Sequence, residues 1–358
     1  EAYNKALALK PDYAEAYNNM GIVLQEQGKL EEAFEAYTKA LTIKPDFKAW
    51  YNMSITLQEQ GKLEEAVGAC KKVLAIKPDY TEAYYTMGDV LRAQGKLEEA
   101  VAAYKKNSSK KSQIRILKCL YELNEQDKFY NQLDYMINQG ENNAVMGSYI
   151  SRSQIRYGIK RANPFCSDPL KYAYHTNLTN QCDFENSFVK SAADILSEDA
   201  VQNRSQSLLT NGIQTTGNVF NQIGNFTDNI KSIICSEIEN YRMYFKDNPE
   251  GLIKNWPSDY EIYGWLVSMK SGGKLAAHMH DKGWISGSIY INVPPKSKKD
   301  SGNLVVTTDE ETGKTDNSKS IDVVTGSLCL FPSSLLHYTI PFESDEDRIV
   351  LAFDVIPK

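Results

Sequence analysis

The first third of the chain copies itself. Lys10-Pro11-Asp12-Tyr13, Lys44-Pro45-Asp46-Phe47 and Lys77-Pro78-Asp79-Tyr80 stand 34 and then 33 residues apart. Between them recur Gln27-Gly28-Lys29-Leu30-Glu31-Glu32-Ala33, Gln60-Gly61-Lys62-Leu63-Glu64-Glu65-Ala66 and Gln94-Gly95-Lys96-Leu97-Glu98-Glu99-Ala100. A period of this length means one small unit per copy. No copy can bury its apolar face alone, so the copies must stack. Each copy reads as two helices. Tyr17, Met20, Gly21 and Leu24 fall on one helical face, and Ala33, Tyr37 and Ala40 repeat the spacing on the next helix. Gly28 is placed to end the first helix in the left-handed region, and Pro45 stops the second. Small residues at Gly21 and Ala33 let the pair approach closely. The second copy is one residue short near Lys48-Ala49-Trp50, so its first helix is expected to start differently.

These positions resemble the tetratricopeptide repeat over residues 1–106. The resemblance implies an α-solenoid that binds a protein or peptide. Residues 1–11 read as the tail of a further copy, which predicts more repeats upstream. Helical spacing continues from 107 to 160 without the repeat: Ile114, Leu117, Leu120 and Leu123, then Phe129, Leu133 and Met136, then Val145, Tyr149 and Ile155. This segment reads as a cap or bridge. Asn163-Pro164-Phe165-Cys166-Ser167-Asp168-Pro169 is a turn-rich break. It opens an expected linker over 161–200, with the domain boundary near 160–190. Residues 228–246 predict a helix with Ile230, Ile233, Ile234 and Ile238 on its apolar face.

From Glu261 the period switches from about 3.6 to about 2. Expected strands are 262–269, 275–280, 287–293, 302–307, 320–324, 327–331, 337–340 and 349–355. Short strands at this spacing predict a sandwich or barrel, the double-sheet jelly-roll type included. The fold class read from the whole chain is therefore multidomain α + β. An N-terminal α-solenoid precedes a double-stranded β-helix (jelly-roll) domain over 201–358.

Three of the four histidines fall in this region, as His278-Met279-His280 and His337. Residues i and i+2 of a strand face one way, so His278 and His280 project together, and His337 can close the site from another strand. Three ligands on one face leave positions open for a chelating co-substrate and dioxygen. Imidazole also suits Zn, Cu and Ni, so the residue types alone do not fix the metal. Arg348, deep in the last strand, needs an anion, and a carboxylate matches it best. His175 has no such company and reads as structural. Lys270-Ser271-Gly272-Gly273 precedes no helix and is not a phosphate loop.

His278, Ser286-Gly287-Ser288-Ile289-Tyr290, Gly326 through Phe331-Pro332, His337 and Arg348 through Phe353 resemble the 2-oxoglutarate- and Fe(II)-dependent oxygenases. The likeness is to a bacterial and phage branch in which tetratricopeptide repeats precede the oxygenase domain. It implies His278 and His337 as iron ligands and Arg348 as partner of the co-substrate's far carboxylate, with Tyr290 hydrogen-bonding the same molecule. The cofactors implied are Fe(II), 2-oxoglutarate and O2. The family's pattern is His-x-Asp or His-x-Glu, whereas position +2 here is His280. Either His280 is itself a ligand, or Asp281 or water takes that place.

The expected function is hydroxylation of a protein or peptide side chain presented by the solenoid. Two alternatives stand beside it. One is a cupin-type dioxygenase without 2-oxoglutarate, although the Glu usual after its His-x-His is missing. The other is a non-catalytic adaptor with a degenerate jelly roll. A net charge of −6 argues against nucleic acid or an anionic membrane as main partner. Six scattered cysteines without a CxxC read as reduced thiols, and a cytoplasmic protein is expected.

Overall fold

The computed structural model describes residues 2–197, 203–204, 208–221, 225–311 and 316–358. The end of the expected linker, 198–200, lies outside the described residues. The chain divides into two compact units, Glu1–Gly140 and Glu141–Lys358.

The first unit is helical: α1 Ala2–Leu9, α2 Ala14–Glu26, α3 Leu30–Ile43, α4 Phe47–Glu59, α5 Leu63–Ile76, α6 Thr81–Ala93, α7 Leu97–Tyr104, α8 Lys110–Glu122 and α9 Gln126–Asn138. Gly28, Gly61 and Gly95 follow α2, α4 and α6 with φ of 74°, 75° and 76°, the left-handed turn that reverses the chain. Within each pair, one small and one large residue are matched. A Cβ on Gly21 would come 2.5 Å from the Tyr37 ring, and one on Gly88 2.5 Å from the Tyr104 ring. In the middle copy both members change together, to Ser54 and Cys70, each fully buried. That copy also starts differently, as its missing residue predicts. Asp46 caps α4 by accepting from the Lys48 N–H at 2.8 Å, whereas Tyr13 and Tyr80 stand before α2 and α6 without side-chain caps.

The second unit opens with α10, Ala144–Tyr157, capped by Asn143 and ended by Gly158 at φ 70°. It buries Val145, Tyr149 and Ile150, while Ile155 is exposed. Part of the segment read as a linker belongs to the β fold. Phe165 and Cys166 are fully buried, and β1, Tyr174–Asn177, pairs with β8, Ser327–Pro332. The other elements are α11 Lys190–Ser197, β2 Asn203–Arg204, β3 Leu209–Thr215, α12 Asn225–Tyr244, α13 Gly251–Lys254, β4 Tyr260–Leu275, β5 Ile285–Asn292, β6 Leu304–Thr307, β7 Ser318–Ile321, β9 Leu336–Thr339 and β10 Arg348–Pro357.

The strands form two antiparallel sheets, one ordered β1-β8-β5-β10-β4-β3-β2 and one ordered β7-β6-β9. Alternation gives the large sheet two buried faces. Ile289, Leu330, Leu351 and Phe353 pack with Ile230, Ile234 and Ile238 of α12. Tyr290, Phe331 and Val350 pack with Leu304 and Val306 of the small sheet. Gly287 has no side chain because the Phe353 ring occupies that space, 2.2 Å from where a Cβ would lie. His278, His280 and His337 line a cavity that this second face walls with Tyr290, Phe331 and Val350.

Candidate metal centre

The expected strand 275–280 stops at Leu275. The Ala276 N–H still bonds to the Leu208 carbonyl, but β3 then ends and offers no further partner. What aligns the next residues is a single bridge. His278 and His337 exchange backbone hydrogen bonds at 3.1 and 2.8 Å. His337 is itself held in β9 opposite Val306. His278 and His280 thus converge without a regular strand between them. Ring centroids are 4.2 Å apart for His278–His337, 4.8 Å for His280–His337 and 5.1 Å for His278–His280. One nitrogen from each ring lies within 4.8 Å of the other two, so the three could hold a metal ion.

The hydrogen bonds decide which nitrogens face inward. His278 Nδ1 lies 2.8 Å from the Ala276 carbonyl, and His280 Nδ1 lies 2.7 Å from Asp354 Oδ1. Carbonyl and carboxylate oxygens only accept, so both Nδ1 atoms donate. The two Nε2 atoms are left 3.2 Å apart. Two imidazole lone pairs stay that close only around a shared proton or a shared cation. Burial, and then the His280 ring, holds His278 down at about 4. Burial, followed by the rings of His278 and His280, pushes His337 well below its ordinary value. Neutral imidazole is the form that ligates a metal.

A cavity of about 460 Å³ runs from these rings to Tyr290 and Val350, with Trp265 and Gln214 also in its wall. Trp265 packs edge-on against His280, centroids 5.3 Å apart. Arg348 is 1% exposed, and none of its three guanidinium nitrogens has a hydrogen-bond partner. Its Cζ lies 5.0 Å from the centre of the Tyr290 ring. Burial pushes the Tyr290 phenol upward and the Cys329 thiol up to about 12, so neither is an anion at neutral pH. Burial also pulls Arg348 down, yet a guanidinium stays charged in proteins. The sequence brings a fixed cation into the core and leaves it without a counter-ion among its described neighbours.

Residues 263–354 match the family model described as "Putative 2OG-Fe(II) oxygenase". Residues 14–47 and 57–111 match tetratricopeptide repeat models. The matches thus place tetratricopeptide repeats before a segment similar to that oxygenase family model. His278, His280, Tyr290, His337 and Arg348 all fall inside the matched segment. Among solved structures the chain is similar to MamA, at 22% identity over 39% of this chain and 87% of that one, TM-score 0.36. It is similar to YrrB, described as a TPR protein with an unusual peptide-binding site, at 20% identity over 44% and 84%, TM-score 0.39. It is also similar to the first TPR of Spaghetti (RPAP3), solved with an HSP90 peptide, at 26% identity over 31% and 94%, TM-score 0.30. A search of curated proteins gave no match.

Asp354 and Gln214 on the cavity wall escape a reading by motif, and Ser286, although inside a quoted motif, is given no role by it. Asp354 had a signal: it lies six residues after Arg348, hence on the same face of β10. His175 lies apart, on β1, with Nε2 3.1 Å from Ser327 Oγ. Asp281 is exposed in the turn after His280.

Proposed function

We propose that this chain is a 2-oxoglutarate- and Fe(II)-dependent dioxygenase that hydroxylates a protein or peptide side chain captured by its repeats. His278, His280 and His337 hold the Fe(II), and His280 takes the position where the resembling oxygenases have a carboxylate. Arg348 receives the far carboxylate of 2-oxoglutarate, and Tyr290 orients it. The observation that carries this reading is the buried, unpartnered guanidinium of Arg348 in the unit that gathers three neutral imidazoles. The donor set fits the metal. Two Nε2 atoms are already aimed at one point, and the ligand set leaves room for a chelating co-substrate.

When bound with 2-oxoglutarate and O2, Fe(II) supplies the oxidative conversion of the co-substrate to succinate and CO2, with one oxygen atom entering a substrate C–H bond. The chain's own contributions are positional. The Ala276 carbonyl and Asp354 fix the tautomers of His278 and His280. Arg348 sets the register of the dicarboxylate through paired, charge-assisted hydrogen bonds. Trp265 and the second buried face keep water from one side of the centre. Six free cysteines, four of them buried, support a reducing compartment, and we place the protein in the cytoplasm. Among the described residues no helix is long and apolar enough to cross a membrane.

A cupin-type dioxygenase or a non-catalytic adaptor would have no use for a charged Arg348 buried without an anion. The test is anaerobic addition of Fe(II) and then 2-oxoglutarate to the purified chain. A visible absorption band of the Fe(II)–2-oxo acid chelate is expected, followed in air by succinate release with candidate peptides. A chain that binds Fe(II) yet forms no chelate band and no succinate is not this enzyme.

A further inference from the structure

The metal centre has a charge problem that its three histidines do not solve. A carboxylate at position +2 from His278 would lower the charge of a divalent site by one. His280 there is a neutral donor. The missing charge stands one residue further out. Asp354 is 7% exposed on β10, a strand paired on both sides, and its Oδ1 accepts from His280 Nδ1 at 2.7 Å. The same oxygen accepts from Ser286 Oγ at 2.8 Å. Ser286, directly opposite Asp354 in the sheet, lies 2.8 Å from Ser333 Oγ. With its own proton given to Asp354, Ser286 accepts from Ser333. Both serines are 1% exposed. The turn after His280 closes on this chain of bonds. A Cβ on Gly283 would lie 2.4 Å from Ser333 Oγ and 3.2 Å from Asp354 Oδ1.

We propose that Asp354 is a positioning residue of the metal centre: acting through the Nδ1–H of His280, it supplies from behind the ring the negative charge that the resembling oxygenases place on the metal itself. The proposal rests on His278, His280 and His337 being the iron ligands. Its physical basis is that a carboxylate behind a ligating imidazole fixes the tautomer and strengthens the donor nitrogen. Ser286 and Ser333 hold that carboxylate in line, and their burial keeps water from competing for it. The two partners of Asp354 are a ring and a hydroxyl, neither carrying a fixed positive charge. The cation that balances it is the one the three rings gather.

The test measures Fe(II) affinity of the full chain without oxygen and without 2-oxoglutarate, by competition with a chromophoric chelator. Wild type, Asp354→Asn, His280→Ala and the double variant are compared. Asp354→Asn is expected to weaken Fe(II) by about 10- to 100-fold. The double variant should be no weaker than His280→Ala alone, because the carboxylate acts only through that ring. Asp354→Asn should also shift the visible bands of the Co(II)-loaded protein, which a merely structural role would not do. Ser286→Ala, which keeps the carboxylate, should lose a few-fold in affinity and serves if Asp354→Asn does not fold; wild-type affinity in it then overturns the proposal. Wild-type affinity in Asp354→Asn beside a clear loss in His280→Ala overturns the role of Asp354 and leaves the iron site standing. So does a double variant in which the two losses multiply. A His280→Ala chain that binds Fe(II) as tightly as wild type, or a wild type that binds none, overturns the ligand assignment and this proposal with it.

Discussion

In the repeats, the residues buried between helices are apolar or neutral polar, and none of those described carries a charge. Tyr37 and Tyr104 fill the space that Gly21 and Gly88 leave, and their hydroxyls reach Gln25 and Asp89. Among the described residues, every buried Asp, Glu, His and Arg lies in the second unit: Glu237, Asp309, His337, Arg348 and Asp354. Three of these five belong to one constellation, and one of those three has no partner for its charge. A uniformly apolar contact tells what holds a fold together. A charge left unpaired inside one tells what the fold is for, because burying it costs several kcal/mol unless something arrives to meet it.

The comparison breaks most sharply at His337. His337→Ala should lower Fe(II) affinity by more than about 100-fold, the loss expected when one of few ligands is removed outright. Arg348→Ala should leave Fe(II) affinity within about threefold while weakening 2-oxoglutarate at least about tenfold, as the loss of a buried charge-assisted pair implies. Calorimetric titration under nitrogen reads both. Equal iron loss in the two variants would remove the division of labour between His337 and Arg348.

The next largest effect is a pH dependence confined to the second unit. The unfolded chain takes up a proton at His278 near pH 6.5, whereas the folded, metal-free protein does so only near pH 4. Stability is therefore full above pH 6.5 and falls as pH drops through that window. The fall from 6.5 to about 4 corresponds to a loss on the order of 3 kcal/mol. His337 titrates in the same direction. Denaturant unfolding between pH 4 and 7 checks this, and a flat profile would show that these rings are not desolvated.

Within the repeats, two glycines sharpen the contrast between occupied and open space. Gly21→Ala forces a methyl against the Tyr37 ring and should cost about 1–3 kcal/mol. Gly68, in the interior of α5, would meet nothing within 4 Å. Gly68→Ala should stabilise by up to about 1 kcal/mol through helix propensity alone. Thermal melting of the two variants should move in opposite directions.

Much of this organisation was legible in the residues. The period of the repeats fixes helix ends and close contacts, since Gly28, Gly61 and Gly95 can only be turns and Ala33, Ala66 and Ala100 only contacts. The three histidines and Arg348 are legible because few residue types do their chemistry. What escaped has a shared cause. β1 and β3 are short, partly polar strands near the edges of the large sheet, with burial too mixed for a period to show. The convergence of His278 and His280 was expected from a strand, but one bridge to His337 produces it instead, a contact about sixty residues away that no local spacing encodes. Asp354 escaped because a lone carboxylate in a strand looks like any other until its partner ring is in place.

β10 runs between β4 and β5, hydrogen-bonded along both edges. It carries Arg348 near one end and Asp354 near the other, six residues on, on a single face. At about 3.3 Å per residue, that fixes their backbones roughly 20 Å apart. The strand thus works as a ruler: the spacing of Arg348 and Asp354 is fixed by the chain, because neither mark can slide without unzipping two ladders.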